Sequence, residues 1–303
     1  MQIVRDTDTL PEHRTVAAIG MFDGVHLGHL TLIDEVKRIA AQRHLKSAVI
    51  TFAQHPQAVL RPDSDIKMLM TVPDKVAEIG RHGIDVTVLL NFTYELSLNN
   101  SRQFLQLLCD RYGVAVLVVG YDHRFGHDKS ETFADYVRHG KELGIDVVKA
   151  PEYLGEYAPV SSSIIRRLIA SGKVDDAMRC MGRPYTLSGK VVHGFHNGRG
   201  IGFPPANVGK IPTDLILPQK GAYAVMVKVD DEWHQGMVNV GVRPTLDNGT
   251  QLSVEVNIFD FDGDIYGKTI TLQFIKFLRL EFKLGSIDEL RAQLTRDTNT
   301  SPQ

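Results

Sequence analysis

Cysteine is nearly absent from this 303-residue chain, which has only Cys109 and Cys180. The two stand far apart and lack metal-ligand spacing. Neither a disulfide framework nor a zinc site is expected, and a reducing, cytoplasmic setting fits. No apolar run approaches the ~18 residues of a membrane span. Residues 1–14 mix charges with a proline around no apolar centre, so they do not read as a signal peptide. A basic surplus is missing too: 34 Lys and Arg against 36 Asp and Glu give a formal net charge of −2. Nothing resembles the concentrated positive footprint that nucleic acid binding needs. A Gly-x-x-x-x-Gly-Lys-Ser/Thr loop is also absent, which argues against a P-loop kinase in the first half. What remains is an ordinary globular composition, 43% hydrophobic and 23% charged, with length enough for two domains. No obligate protein partner is expected.

The most informative stretch is Ala17-Ala18-Ile19-Gly20-Met21-Phe22-Asp23-Gly24-Val25-His26-Leu27-Gly28-His29. It starts as a short apolar run of buried-strand length and passes through a turn bracketed by Gly20 and Gly24. It then enters an amphipathic helix near Leu27, with Ile33, Val36, Ile39 and Ala40 at helical spacing. Strand, glycine turn and helix point the first free backbone N–H groups of the helix at an anion. His26 and His29, three apart, share a face of the first turn. Either they are two ordinary surface histidines, or they serve a phosphate that gains charge during reaction.

Up to about residue 154, strands and helices alternate. Continuous apolar runs at 48–52, 86–90 and 114–119 read as strands, with a further strand at 146–149. Helices are predicted at 73–80 with Thr71 as N-cap, from Ser101 as cap to 111, and at 131–144. Buried strands separated by helices imply a parallel sheet covered on both faces, a Rossmann-like α/β domain. Its ligands belong at the carboxyl ends of strands, where the histidine stretch lies. Gly120-Tyr121-Asp122-His123-Arg124-Phe125-Gly126 also follows a strand, as a polar turn or as part of the same site. Ser161-Ser162-Ser163-Ile164-Ile165-Arg166 is a helix cap, or a hydroxyl-rich phosphate site with Arg166 as fixed charge.

Near residue 183 helices give way to short alternating strands, at 187–193, 221–230, 232–240, 252–259 and 269–277. Such spacing predicts an antiparallel barrel or sandwich. We therefore place one domain at 1–183 and a second at 184–303. Ser286-x-x-Glu289 is a capping box for a terminal helix. Between the first two strands runs Gly194-Phe195-His196-Asn197-Gly198-Arg199-Gly200-Ile201-Gly202-Phe203-Pro204-Pro205-Ala206-Asn207. It is a long hairpin connection, or a glycine loop whose amides approach a phosphate. In 252–259 the aliphatics share one face and Glu255 takes the other. That carboxylate is solvated, or it is a general base toward an alcohol.

The stretch Gly-x-Phe-Asp-Gly-Val-His-x-Gly-His contains the nucleotidyltransferase signature histidine-x-glycine-histidine. The chain resembles the bacterial bifunctional riboflavin kinase/FAD synthetase family. The Ser-Ser-x-x-x-Arg stretch and the 120–126 turn match its first half, although His127-Asp128-Lys129-Ser130 stands where the family usually has a further glycine. Gly189-Lys190-Val191-Val192-His193-Gly194, the glycine loop, Asn239 to Thr245, Val254-Glu255-Val256, Asp264 to Lys268 and Phe277-Leu278-Arg279-Leu280-Glu281 match the second. The resemblance implies a six-stranded Greek-key barrel and two ATP reactions, riboflavin to FMN and FMN to FAD, assisted by Mg²⁺. It implies that His26, His29, Arg166 and Glu255 are catalytic and that Asn207 is the Mg²⁺ ligand. Gly20, Phe22, Asp23, Gly28, Asp122, Arg124, Ser161 and Ser162 would bind nucleotide or flavin in the first half. Lys190, Gly194, Gly198, Arg199, Gly202 and Arg279 would do so in the second. The alternatives are a barrel that binds flavin without kinase activity, and a first domain that serves another phosphorylated acceptor.

One position departs from the family: Pro205 replaces the threonine before Ala206-Asn207. Proline brings neither hydroxyl nor N–H to a metal site, and water is free to fill the gap around Mg²⁺. A Mg²⁺ titration of FMN formation is expected to show half-saturation several-fold lower for Pro205→Thr than for the parent chain. Superimposed curves would make the hydroxyl dispensable.

Overall fold

The computed structural model describes residues 1–6, 8–10, 14–121, 123–128, 130–192, 206–244 and 250–279. The chain divides into two compact units, Met1–Ser162 and Ser163–Gln303.

The first unit alternates as expected. Strand β1 (Gln2–Arg5) precedes β2 (Thr15–Ile19), helix α1 (Leu27–Arg43), β3 (Lys46–Phe52), α2 (Pro56–Leu60), α3 (Val72–Arg81) and β4 (Val86–Leu90). Then come α4 (Tyr94–Ser97), α5 (Ser101–Tyr112), β5 (Val114–Val119), α6 (Phe133–Leu143) and β6 (Asp146–Lys149). All sheet pairs are parallel, in the order β1-β4-β3-β2-β5-β6. Alternation along β2 feeds two cores. Val16 and Ala18 join Ile33, Val36 and Ile39 of α1 on one face, while Ala17 and Ile19 join Phe104, Leu105 and Leu108 of α5 on the other. From β2 the chain winds outward through β3 to β4, then crosses back to place β5 on the far side of β2. The direction of winding therefore reverses between β2 and β5, and a crevice at their carboxyl ends is where such sheets bind ligands.

Helix starts refine the sequence-based expectations. Thr71 caps α3 as expected, its side chain accepting from the Asp74 amide. The cap of α5 is Asn100, not Ser101: Asn100 and Gln103 exchange side-chain and backbone bonds as a capping box. The Ser101 hydroxyl is engaged elsewhere, donating to Glu131 Oε1 at 2.7 Å.

The second unit holds most of α7 (Ser162–Ala170), then α8 (Val174–Met181) and a closed barrel of β7 (Tyr185–Val192), β8 (Ala206–Gly209), β9 (Gly221–Val229), β10 (Glu232–Pro244), β11 (Thr250–Ile258) and β12 (Thr269–Arg279). The barrel order is β10-β11-β8-β7-β12-β9, and each pair is antiparallel. After the β7–β8 pair the chain crosses to β9, the Greek-key connection. The closed barrel settles the choice against a sandwich. Its core is made of the inward aliphatics of alternating strands, such as Val225, Val227, Val238, Val254, Val256, Ile270 and Leu272. The capping box at Ser286 lies outside the described residues.

The unit boundary falls after Ser162, some twenty residues before the change of pattern at 183. Two contacts account for this. The Ile169 carbonyl at the end of α7 accepts from the Gln219 amide at 3.3 Å, and α8 lies against β12 and β7, with Val174, Ala177, Cys180 and Met181 buried. A fragment of residues 163–303 is therefore expected to melt higher than one of residues 185–303, by about 5 °C or more. Equal melting temperatures would make α7 and α8 passengers of the barrel.

Candidate active sites

The turn between β2 and α1 is tightly strained. Phe22 (φ 49°) and Val25 (φ 37°) both sit at positive φ, flanking Gly24 (φ 82°). For a β-branched residue this backbone is costly and persists only where the surroundings dictate it. Those surroundings are visible. The buried Asp23 carboxylate accepts from the Leu69 amide at 3.0 and 3.1 Å, and the Ser162 hydroxyl donates to the Asp23 carbonyl at 2.8 Å. The Met21 carbonyl accepts from Thr51 Oγ1 (2.9 Å) and from Lys75 Nζ (3.1 Å). Gly24 is required twice over, since a Cβ there would lie 2.6 Å from Leu69 Cδ1. The Phe22 ring is fully buried beside His29, with centroids 4.9 Å apart.

At the start of α1 the two histidines cap the helix reciprocally. His26 Nδ1 accepts from the His29 amide and His29 Nδ1 accepts from the His26 amide, each at 3.3 Å. The rings stack with centroids 3.6 Å apart. An Nδ1 that accepts a backbone proton leaves the neutral ring's own proton on Nε2. Helix capping thus fixes the tautomer of both rings and makes both Nε2 atoms donors. Gly28 has room for this stack because it has no side chain; a Cβ would sit 3.3 Å from the His26 ring and 3.6 Å from the Val160 carbonyl.

The β5 end supplies the second wall of the crevice. His123 N bonds back to the Gly120 carbonyl, and Phe125 is buried against Tyr136, whose hydroxyl donates to the Phe125 carbonyl. This leaves Arg124 exposed. Asp122 lies outside the described residues. Ser162 is joined to the turn as described, and Arg166 follows one helical turn later on the same side of α7, within the second unit.

Lys75 was not anticipated from sequence. It is 1% exposed, and its Nζ donates to the Phe52 carbonyl at 2.8 Å as well as to Met21. Burial lowers its proton affinity to about pKa 8, against the upward pull of the Asp23 charge. A lysine at an ordinary helical position carries no sequence signal for this.

In the barrel, strand register forms a row. Glu255 of β11 is directly opposite Asn207 of β8 on one side and Asn239 of β10 on the other. Opposed residues project to the same face, so the carboxylate stands between two carboxamides. Val254 and Val256 point into the core. Lys190 is exposed on β7, paired with Gly209 and Thr269. Gly194, Gly198, Arg199, Gly202 and Pro205 lie outside the described residues, as does the side chain of Arg279. Among the described residues no group of three or more His, Cys, Asp or Glu is arranged to hold a metal.

An FAD synthetase family model matches residues 9–164 and a riboflavin kinase model residues 181–303. A bifunctional riboflavin kinase/FMN adenylyltransferase from Listeria monocytogenes is 35% identical, over 96% of this chain and 92% of its own. That of Bacillus subtilis is 37% identical over 94% and 90%, and that of Escherichia coli K12 32% identical over 99% and 97%. The chain belongs to the bifunctional riboflavin kinase/FMN adenylyltransferase family. The family's two modules are the parallel-sheet unit and the barrel. A crystal structure described as a macrolide-efflux protein from Streptococcus pneumoniae covers 99% of this chain and 98% of its own, with TM-score 0.86 and 29% identity. That name denotes a different activity, and the likeness is one of fold. No helix among the described residues is long and apolar enough to cross a membrane.

Because asparagine is as good an N-cap as any residue, His26→Asn separates capping from chemistry. The variant is expected to keep its melting temperature within about 2 °C and to lose on the order of a hundredfold in adenylyl transfer. A loss of activity matched by a large loss of stability would make His26 a capping residue only.

Proposed function

We propose that the chain makes FAD from riboflavin in two ATP reactions, one in each module. The observation that carries this is the presence, on the two appropriate folds, of a paired-imidazole helix start and of a carboxylate set in a barrel strand row.

In the first-unit reaction an oxygen of the FMN phosphate attacks the α-phosphorus of ATP. The bond from that phosphorus to the bridging oxygen breaks, and pyrophosphate leaves. The nucleophile is already ionised, so no base and no covalent enzyme intermediate is needed. What is needed is stabilisation of the charge on the pentavalent phosphorus and the leaving group. The Nε2–H groups of His26 and His29 and the first amides of α1 supply it, with Arg166 a further candidate that rests on the family resemblance. Gly20 and Gly28 let the backbone come close, Ser161 and Ser162 shape the neighbouring helix start, and Arg124 serves from the β5 side, with Asp122 a candidate by the family resemblance. Phe22 and Asp23, both buried, act by holding the turn.

In the barrel reaction the nucleophile is an alcohol, the terminal hydroxyl of the ribityl chain. Glu255 takes its proton as the oxygen bonds to the γ-phosphorus and ADP departs. Asn207, directly across from Glu255, offers a carbonyl oxygen of the hard type that Mg²⁺ takes, and the pair fits that ion. Bound there, Mg²⁺ would neutralise charge on the ATP phosphates. Lys190, Arg199, Arg279 and the glycines at 194, 198 and 202 would cradle those phosphates. ATP, riboflavin and FMN are then the small-molecule partners, and a cytoplasmic location fits a pathway fed by ATP.

Half-reaction assays test the assignment. His29→Ala is expected to lower FAD formation from FMN by about a hundredfold or more and leave riboflavin phosphorylation intact. Glu255→Gln is expected to do the reverse, with a loss of roughly a hundredfold or more in phosphorylation. Either variant impairing both steps would overturn the division of labour.

A further inference from the structure

We propose that Lys75 is a positioning residue for adenylyl transfer: its ammonium, sealed beneath the β2–α1 turn, holds the carbonyl ends of two strands and balances the buried carboxylate of Asp23, so that the phosphate site keeps its positive field. This rests on the reading of that turn as the ATP site.

Three observations carry it. First, Lys75 reaches from α3 to bond the carbonyls of Met21 and Phe52, the residues that leave β2 and β3. It thereby joins the two strands at their carboxyl ends, on which the strained turn is built. Second, Asp23 is 1% exposed and lies within the same turn, three residues before His26. A buried carboxylate so near an anion site repels what the site must bind. Lys75 is a buried cation close enough to Asp23 for the carboxylate to oppose part of the lowering that burial imposes on its pKa. Third, two carbonyls alone do not call for an ammonium. A neutral amide would satisfy them with less desolvation. The positive charge has a use only if it opposes another charge.

The sign of the pH effect follows. Burial depresses the Lys75 pKa to about 8, so the ammonium is present below that pH and lost above it. When it is lost, Asp23 stands uncompensated and ATP is bound more weakly. Other ionisable groups on the elements around Lys75 include His26 at the N-cap of α1 and His29 in its first turn, His55 beyond β3, and Asp74, Glu78 and Arg81 on α3. Asp74 is engaged by Thr71, and Glu78 by Arg81 and His82.

The experiment measures KM for ATP and kcat of FAD formation from FMN on the full chain from pH 6.5 to 9.5. In the parent chain KM for ATP is expected to rise on the order of tenfold across pH 8, with kcat changing less. Asp23→Asn removes both the charge that keeps Lys75 protonated and the carboxylate that repels ATP, so its limb is expected at lower pH and shallower. Lys75→Arg, which stays charged, is expected to show no limb, with far-UV circular dichroism confirming its fold. A flat parent profile, or a limb unmoved in Asp23→Asn, would overturn the proposal, whether or not Lys75→Arg folds. Failure of the parent chain to make any FAD from FMN would instead sink the reading of the site on which it rests.

Discussion

The turn from Gly20 to Val25 cannot stand alone. Two non-glycine residues at positive φ cost on the order of 1–3 kcal/mol each, and they are retained because buried polar contacts leave the chain no other path. Leu69 N fixes the Asp23 side chain, Ser162 Oγ fixes its carbonyl, and Lys75 and Thr51 fix Met21. What the strain achieves is direction. The chain leaves β2 and enters α1 with His26 extended at φ −79°, ψ 174°, so that the helix starts at the carboxyl end of the strand with its first amides lacking intrahelical partners. The histidines then spend their Nδ1 atoms on two of those amides, which fixes their tautomer as well as their position. On the proposed function, capping and chemistry are one arrangement.

The barrel solves a different problem by a simpler route. Its strands need no strained residue to present Glu255, because alternation along β11 sends Val254 and Val256 inward and Glu255 outward. Register across the sheet then decides the neighbours. A slip of one residue on β8 would replace Asn207 by a hydrophobic side chain and leave the carboxylate without its partner. The hydrogen-bonded closure of the barrel guards that register, since each strand is held on both sides.

Much of this was legible in the sequence because the signals were local. Apolar runs marked β3, β4 and β5, helical spacing marked α1, and the glycines marked the turn. What escaped was set by tertiary structure. β8 has four residues, of which only Val208 is buried, too short for an alternation to register, so Asn207 read as the end of a loop. β1 lies at the sheet edge with Ile3 exposed, so its one inward residue, Val4, made no pattern. Ser101 looked like a cap by residue type, but Asn100 and Gln103 formed the box and Glu131 took the serine. Lys75 read as the polar side of an amphipathic helix. That its side chain turns inward depends on two carbonyls from strands far away in sequence. The residues of the histidine motif stood out because their chemistry is concentrated in thirteen residues. Those brought together by register or burial were singled out only through a resemblance, or not at all.

The two modules differ in how they bring a phosphorus under attack, and the difference follows from their nucleophiles. A phosphate monoester is already anionic, so a base beside it would only add repulsion. On the proposed mechanism the parallel-sheet unit meets the reacting centre with donors, and the buried carboxylate of Asp23 accepts from the Leu69 amide near a buried ammonium. An alcohol is neutral and must lose a proton as it attacks. On the same proposal the barrel uses the half-buried carboxylate of Glu255, set in one row with Asn207 and Asn239. Exchanging the two environments would disable both. A free carboxylate at the helix start would repel the triphosphate, and a pair of neutral imidazoles donating through Nε2 would have no lone pair left for the alcohol proton. One chain therefore needs two folds to carry out two reactions on the same cofactor.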